Sequence, residues 1–172
     1  MIIMAKSNTR YKIPHRRRLE KTTDYKTRFK LVSGGKTRAV IRKSLENISV
    51  QFVQFDKTGD RTVASAESQE LKKLGWSFGR GNLPAAYLTG LLAGKMAKSK
   101  GVNEAVLDIG LQTSTKGSRL YAALKGVIDA GVNVPHSNDV LPDEKRIGGH
   151  HIQGKQGIVT HFEDVKKKIM SK

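Results

Sequence analysis

The stretch EAVLDIGLQTSTKGSRLYAALKGVIDAGVNV, residues 104–134, decides the fold of this chain. Its first part, Glu104–Gly110, suits a short buried strand, and Ser118 can cap a helix that ends at Gly131. The apolar face of that helix consists of Leu120, Ala123, Leu124, Val127 and Ile128. Val132–Val134 is predicted to be a second short strand, stopped by a proline. Strand, helix and strand in this order predict a right-handed crossover and a parallel pair.

Upstream of this crossover, the sequence predicts an antiparallel three-stranded meander. The strands are expected at Thr37–Ser44, Ile48–Phe55 and Arg61–Ala66, which are rich in Val, Ile and Phe between polar residues. Two turn sequences separate them, Leu45-Glu46-Asn47 and Asp56–Asp60. The meander followed by a βαβ-type crossover predicts an α/β fold, a mixed sheet with packed helices.

Two helices are predicted between the meander and the crossover. Ser65–Gly75 is expected to form a short helix that stops at its glycine. Pro84–Lys100 has an apolar stripe at helical spacing, starts with a proline, and is followed by Gly101. Gly90 and Gly94 each lower its intrinsic helicity by roughly 1 kcal/mol. Their presence would be explained by a neighbouring element that packs closely at these two positions.

Basic residues are concentrated in the first quarter of the chain. The protein has 172 residues, with 32 Lys and Arg against 15 Asp and Glu, and a formal net charge of +17. Residues 1–43 contain fourteen of the basic residues against only Glu20 and Asp24, a balance of +12. Because such a segment repels itself without counter-ions, it predicts a polyanionic partner, either nucleic acid or an anionic membrane surface.

The composition predicts three parts in the chain. We expect a basic N-terminal arm at residues 1–36, an α/β core domain at 37–135 and a C-terminal extension with a short helix at 136–172. The arm has few core-forming residues and is expected to be disordered when alone. Asp24–Leu31 could form a short helix on a partner.

The arm has the chemistry of RNA binding. Lys and Arg neutralise phosphates and release condensed counterions, and Arg can also fork onto a phosphate or stack on a base. Tyr11, Tyr25 and Phe29 could stack on unpaired bases. The candidate rRNA-binding residues of the arm and of the strand that follows it are Arg10, Tyr11, Lys12, Arg16, Arg17, Arg18, Tyr25, Lys26, Arg28, Lys30, Arg38 and Arg42.

A second candidate is the polar loop Gln112–Arg119, which lies between a predicted strand and a helix N-terminus. Such a position favours a phosphate, and Lys116 and Arg119 are its candidate RNA contacts, although a plain connecting loop explains the segment equally well. The nucleotide-binding pattern Gly-x-x-x-x-Gly-Lys-Ser/Thr is not met, because Thr115 replaces its second glycine and Gly117 follows the lysine. A nucleotide site is therefore not expected.

Catalytic and metal chemistry find little support in the sequence. Four carboxylates are candidates for a two-metal nuclease: Asp56, Asp60, Asp108 and Asp129. Asp56 and Asp60 fall in a turn, and Asp108 can equally cap a backbone group or pair with a cation. Adjacent His150 and His151 cannot easily share one metal, and the chain has no cysteine. We expect no enzyme activity, cofactor or small-molecule substrate.

A membrane partner is also not expected. The longest nearly uncharged stretch, around Leu83–Gly94, is far shorter than the roughly 20 residues that span a bilayer. Pro14 and the glycines of the arm argue against a basic amphipathic helix. Met1–Ala5 is too short for a secretory signal, and Met4 is an alternative initiator. The absence of cysteine agrees with a reducing cytoplasm.

The C-terminal extension ends in a predicted helix. Residues 136–159 are polar and rich in glycine, whereas Thr160-His161-Phe162-Glu163 matches a capping box. A narrow apolar stripe follows at Phe162, Val165 and Ile169. We expect this helix to dock on another surface, in the same chain or in a partner.

Several blocks of the sequence, all in one register between about residues 10 and 150, resemble a known family. They are Arg10-Tyr11-Lys12-Ile13-Pro14 through Arg16-Arg17-Arg18 and Thr23-Asp24-Tyr25, Thr62–Ala66, Gly81–Gly94, Glu104–Leu111, and Gly126–Gly131 followed by Pro135-His136. The chain resembles the archaeal-type large-subunit ribosomal proteins of the L-eighteen family, whose eukaryotic relatives carry the name L-five.

This resemblance implies a fold of the translational-machinery-component type. It implies a structural protein of the cytoplasmic ribosome that binds 5S rRNA and helps attach it to the large subunit, within the central protuberance. It also implies contacts with 23S rRNA and with a neighbouring ribosomal protein of the bacterial and archaeal L-five family.

Overall fold

The computed structural model of the protein describes residues 12–152 and 157–171. The elements, in chain order, are α1 (Arg16–Leu19), α2 (Tyr25–Ser33), β1 (Arg38–Lys43), β2 (Ile48–Gln54), β3 (Arg61–Glu67), a 3₁₀ turn (Glu70–Leu74), α3 (Leu83–Ser99), β4 (Val106–Asp108), α4 (Arg119–Asp129), a second 3₁₀ turn (Asn138–Val140), α5 (Glu144–Ile147) and α6 (Ile158–Met170).

The four strands form one mixed sheet in the order β3-β2-β1-β4. β1 pairs with β2 and β2 pairs with β3 in antiparallel fashion, while β4 runs parallel to β1. The predicted meander and the α/β class are therefore confirmed. The predicted Ser65–Gly75 helix is shorter than expected, a 3₁₀ turn that stops at Gly75 in the left-handed conformation, with a φ of 98°.

The second strand of the predicted crossover is almost absent, so the prediction of a strand at Val132–Val134 is wrong. Only an isolated parallel bridge joins Glu104 and Asn133, through hydrogen bonds from Ala105 N to Asn133 O (3.0 Å) and from Asn133 N to Asn103 O (2.8 Å). Val132 and Val134 are buried in the core on either side of this bridge. The alternating pattern Val132-Asn133-Val134 thus reflects the packing of two valines in the core and not a strand with continuous hydrogen bonding to its neighbour.

Helices α3 and α4 cross in close contact at their glycines. A Cβ atom at Gly94 would lie 2.6 Å from the Cβ of Ala130, and one at Gly90 would collide with the backbone carbonyl of Ala123. On the other helix, a Cβ at Gly126 would collide with the carbonyl of Tyr87. The expectation that a neighbour packs closely at Gly90 and Gly94 is confirmed.

The sheet separates two different environments. Its inner face, which includes the fully buried Ile41, Val50 and Phe52, belongs to the same hydrophobic core as α3 and α4. Because successive residues of a strand point to opposite faces, Arg38 and Arg42 of β1 project from the outer face. These basic side chains therefore leave the sheet on the side away from α3 and α4.

The C-terminal helix packs on its own chain. Phe162, Val165 and Ile169 are buried in the core, and α6 contacts α3 and the first 3₁₀ turn. The predicted capping box is wrong, because α6 begins at Ile158 after Gly157 in the left-handed conformation, with a φ of 86°. Thr160 therefore lies inside the first turn, where its hydroxyl donates to the Gly157 carbonyl over 2.8 Å.

Candidate nucleic-acid interface

The arm contains a helix whose start is fixed by Asp24. This carboxylate accepts hydrogen bonds from the backbone N–H of Lys26 (3.0 Å) and from the N–H (3.3 Å) and hydroxyl (2.6 Å) of Thr27. These bonds, above all the one from the Thr27 hydroxyl, hold the pKa of Asp24 below its ordinary value. Asp24 is the N-cap of α2, at the start of the segment for which a short helix was considered, and α2 extends two residues beyond Leu31.

One face of α2 combines positive charge with an exposed aromatic ring. Lys26, Phe29 and Lys30 share this face at helical spacing, and Phe29 is 73% exposed. Tyr25 is half-buried, and its ring centre lies 5.5 Å from that of His15. A cleft of about 550 Å³, which we call the arm cleft, is lined by Tyr25, Lys26, Phe29 and Lys30 together with Arg18 of α1.

The opposite face of α2 is tied to the sheet by a chain of alternating charges. Arg28 donates to Asp60 Oδ2 over 2.6 Å, and the same oxygen accepts a hydrogen bond from Arg38 over 2.6 Å. The other Nη of Arg38 donates to Asp108 Oδ2, and Arg42 donates to Asp108 Oδ1, both over 3.0 Å. We call these five residues the ion-pair chain.

Burial decides how strongly the ion-pair chain acts. Arg38 is 3% exposed and the Asp108 side chain 8%, so neither charge has water to replace a lost partner. Burial alone would raise the pKa of Asp60, but hydrogen bonds from Arg28 and Arg38 outweigh it and hold that pKa below its ordinary value. The ion-pair chain therefore holds α2 in a defined position on the outer face of the sheet.

The three arginines of α1 are exposed and differ in their contacts. Arg17 Nε donates to the Thr23 hydroxyl over 2.9 Å, while Arg16 Nε lies 3.7 Å from a carboxylate oxygen of Glu20. Arg17 also lines a second, smaller cleft of about 140 Å³ together with Arg28 and Arg42. Three arginines from three elements thus converge at one polar opening beside the arm cleft.

The candidate residues of the sequence analysis fall into several groups. The two clefts bring together Arg17, Arg18, Tyr25, Lys26, Arg28, Lys30 and Arg42. Lys12 and Arg16 are exposed at the start of the described chain, and Arg10 and Tyr11 lie outside the described residues. Arg38 is buried in the ion-pair chain, so we give it a positioning role and leave it out of the proposed RNA contacts.

The two candidates of the polar loop lie apart from both clefts. Lys116 is exposed before α4, whereas Arg119 is half-buried and donates to the Gly81 carbonyl over 2.7 Å. Ser118 precedes α4 as predicted, but its hydroxyl makes no capping hydrogen bond. Gln112 of this loop instead pairs with the end of β1, accepting from Lys43 N (3.3 Å) and donating to Lys43 O (3.0 Å).

Sequence reasoning missed two contributions to the interface. The set of candidate RNA contacts does not include Phe29, which is the most exposed aromatic side chain of the described arm. In the sequence Asp60 has only the signature of an ordinary turn residue, because its partners Arg28 and Arg38 lie 32 and 22 positions away along the chain. The one signal in the sequence is general: an acidic turn, Asp56–Asp60, in a chain whose preceding segment is rich in basic residues.

The described part of the chain supplies little for other chemistry. Within residues 12–152 and 157–171 we find no group of three or more His, Cys, Asp or Glu side chains placed to hold a metal ion. In the same residues, no helix has the length and apolarity to cross a bilayer. Asp108, once a candidate catalytic carboxylate, pairs with two arginines and accepts the backbone N–H of Gly110.

Replacing Asp108 with asparagine should destabilise the fold by about 2–4 kcal/mol, because it removes the negative charge from a buried position between two arginines. The measurement is urea unfolding followed through Trp76, the one tryptophan of the chain, which is 2% exposed. Glu104→Gln is the matched control. Glu104 pairs with Lys36, and because the two side chains are 59% and 53% exposed, this ion pair should contribute less than about 1 kcal/mol to stability. Equal losses in the two variants would contradict a supporting role for the ion-pair chain.

The comparisons with known proteins agree with one another. The family model described as "Ribosomal large subunit proteins 60S L5, and 50S L18" matches residues 9–103 and 94–137. The chain is 58% identical over 149 residues to "Large ribosomal subunit protein uL18" of Korarchaeum cryptofilum, covering 87% of this chain and 76% of that protein.

Two further relatives are matched over almost their whole length. Proteins of the same name from Methanothrix thermoacetophila and Halobacterium salinarum are 48% and 54% identical, and each match covers 94% of this chain and 96% of the relative. With identities far above what the fold alone would require, the chain belongs to the family of large-subunit ribosomal proteins that comprises 60S L5 and 50S L18.

Proposed function

We propose that this protein binds 5S rRNA and attaches it to the large ribosomal subunit, with the arm as its main RNA contact. Membership of the family makes the chain a structural component of the large subunit and not an enzyme. The finer proposal, 5S rRNA in the central protuberance, rests on what the family resemblance implies. The single observation that carries it is the arm cleft, where an exposed aromatic ring lies among cations.

The combination of charge and ring exposure favours RNA with unpaired bases. An exposed Phe29 costs solubility unless it has a partner, and a nucleobase can cover its face while the neighbouring Lys26 and Lys30 meet phosphates. Base stacking on an aromatic side chain contributes about 1–3 kcal/mol for each base. Two further apolar side chains of the arm are exposed, Ile13 (80%) before α1 and Leu19 (55%) at the end of α1.

The ion-pair chain supports the proposal by reducing the entropy cost of binding. A disordered arm would have to order itself on RNA and would lose part of its binding energy in doing so. Here α2 has a capped start and is tied through Arg28 and Asp60 to the sheet. Arg17, Arg28 and Arg42 thereby present guanidinium groups at a fixed spacing to a phosphate backbone.

Contacts with other components complete the proposal. We infer that the exposed Lys116 and the partly exposed Arg119, which lie apart from the arm, meet a second RNA segment, of 5S or 23S rRNA. A neighbouring protein of the bacterial and archaeal L-five family is the protein partner that the resemblance implies. We give the protein no cofactor and no membrane role.

Filter binding of the full chain to 5S rRNA over a series of salt concentrations tests the proposal. The logarithm of the binding constant should fall with the logarithm of salt concentration with a slope near −5 or steeper, since each phosphate contact adds about 0.7–0.9. A transcript of the same length and composition but scrambled sequence is the control, and 5S rRNA should bind at least about tenfold more tightly. Equal affinity for both RNAs would leave only general attraction between opposite charges and would refute the 5S assignment.

A further inference from the structure

A second surface, on the helical side of the protein, has a shape and chemistry of its own. A groove of about 680 Å³ lies between the first 3₁₀ turn, the C-terminal half of α3, the end of α4 and α6. Its floor is apolar: Leu74 and Met96 are half-buried there, and the lining also includes Leu92 and Ile169, which are buried in the core. Methionine in such a floor can adapt its shape to different apolar side chains.

Lysines surround this apolar floor. Lys73 and Lys98 are exposed on opposite walls, on the 3₁₀ turn and on α3, and Lys95 is half-buried on the same helix. Glu70 is the one acidic residue among the side chains that line the groove in the described chain. The groove thus offers an apolar strip between two positive edges.

The groove and the arm occupy different sides of the molecule. The arm is tied to the outer face of the sheet through Arg28 and Asp60, whereas α3 packs on the inner face and carries the groove beyond it. A ligand in the groove therefore leaves the arm cleft open. Any function of the groove is independent of the proposed contact between the arm and 5S rRNA.

We propose that this lysine-rimmed groove docks an acidic amphipathic helix of a protein partner. An amphipathic helix buries apolar side chains at positions i, i+3, i+4 and i+7 in an apolar strip, and carboxylates flanking that stripe would meet Lys73 and Lys98. RNA fits this site less well, because a phosphate backbone has nothing to place against the apolar side chains of Leu74 and Met96. Charge complementarity between the lysine rim and the helix sets the register of docking.

The test uses the full chain and a fluorescein-labelled peptide of about five helical turns, with leucines on one face and glutamates elsewhere. Fluorescence anisotropy should show binding, and a scrambled peptide of the same composition should bind at least about fivefold more weakly. Lys73→Gln with Lys98→Gln should weaken binding about fivefold, as expected for two rim ion pairs. The matched control, Lys26→Gln with Lys30→Gln in the arm, removes the same charge and should change binding by less than about twofold.

A second readout locates the peptide on the molecule. The chain has four methionines, Met1, Met4, Met96 and Met170, so methyl-labelled methionine gives few NMR signals, and Met96→Leu assigns the signal of the groove. Peptide should shift the Met96 signal. The proposal is overturned if Met96 does not respond or if the scrambled peptide binds equally well.

Two other occupants would also overturn it. If single-stranded oligouridine shifts the Met96 signal and loses affinity in the Lys73→Gln, Lys98→Gln variant, then the groove is an RNA site. If the Met96 signal changes with protein concentration alone, then a second copy of the chain fills the groove. Neither result affects the proposal for 5S rRNA, which is measured on the arm and with a different ligand.

Discussion

Neutralising five exposed cations of the arm should weaken 5S rRNA binding by about a hundredfold to a thousandfold at near-physiological salt. The substitutions to glutamine are at Arg16, Arg17, Arg18, Lys26 and Lys30. Each phosphate contact that is lost should make the negative slope of the log–log salt plot shallower by about 0.7–0.9. The variant should therefore bind more weakly and depend less on salt than the parent. Filter binding of the variant and the parent over the same salt range measures both quantities.

A charge-matched variant separates contact from general attraction. Glutamine at five exposed cations of the helical side lowers the net charge by the same amount, at Lys72, Lys98, Lys145, Arg146 and Lys167. We expect this variant to bind 5S rRNA within about fivefold of the parent, because long-range attraction is largely screened at physiological salt. If both variants lose affinity equally, the arm has no special role and the proposed interface is wrong.

Replacing Gly90 with alanine should destabilise the protein by about 3 kcal/mol or more. The added methyl group would collide with the backbone carbonyl of Ala123, and a backbone atom cannot move aside as the end of a side chain can. Helices α3 and α4 must then separate along a contact that includes the equally tight Gly126. Urea unfolding followed by the fluorescence of Trp76 gives the free energy of unfolding.

Gly34→Ala is the matched control for this substitution. Gly34 has an ordinary φ of −70°, and the nearest atom to an added Cβ would be a carbonyl oxygen at 3.6 Å, which is normal contact. Its effect should be within about 1 kcal/mol of zero, and can be stabilising because alanine restricts the unfolded chain. Equal and small changes in both variants would show that α3 and α4 are less tightly packed than described.

The local patterns of the sequence predicted the sheet and the main helices well. The first three strands begin and end within one or two residues of the predicted bounds, because each is flanked by a strong turn. The glycines of α3 predicted a close neighbour, and that neighbour is the helix that Ser118 precedes. The spacing of apolar residues and the turn residues that separate elements are local properties, so they can be recognised in the sequence alone.

Long-range pairing could not be predicted in the same way. Arg38 looks like a cation for RNA on a strand, yet its partners Asp60 and Asp108 lie 22 and 70 positions away and bury it. The sequence suggests that the arm helix could form on a partner, whereas in the structure Arg28 of this helix pairs with Asp60 of the same chain. Nothing in the spacing of these residues says that α2 would reach the turn between β2 and β3.

The structure of the segment before the last helix, residues 136–159, could be predicted least from the sequence. Its lack of apolar period indicated a polar connection, but Pro142 and Ile147 are buried, and Ile147 belongs to the hydrophobic core. The start of α6 after Gly157 is also not predicted, because Thr160 and Glu163 match a capping box three residues further along the chain. Single buried residues in irregular chain depend on tertiary packing and leave no periodic trace.

The most direct test of the account is a photocrosslink from position 29 inside assembled large ribosomal subunits. The full chain carrying p-benzoylphenylalanine in place of Phe29 is incorporated, irradiated, and its crosslinked RNA is identified by sequencing; the same residue at Leu45, which is 94% exposed, serves as the control position. The account predicts a crosslink from position 29 to 5S rRNA that is absent or much weaker from position 45. A chain that enters the subunit but crosslinks at position 29 only to protein or to 23S rRNA would contradict it.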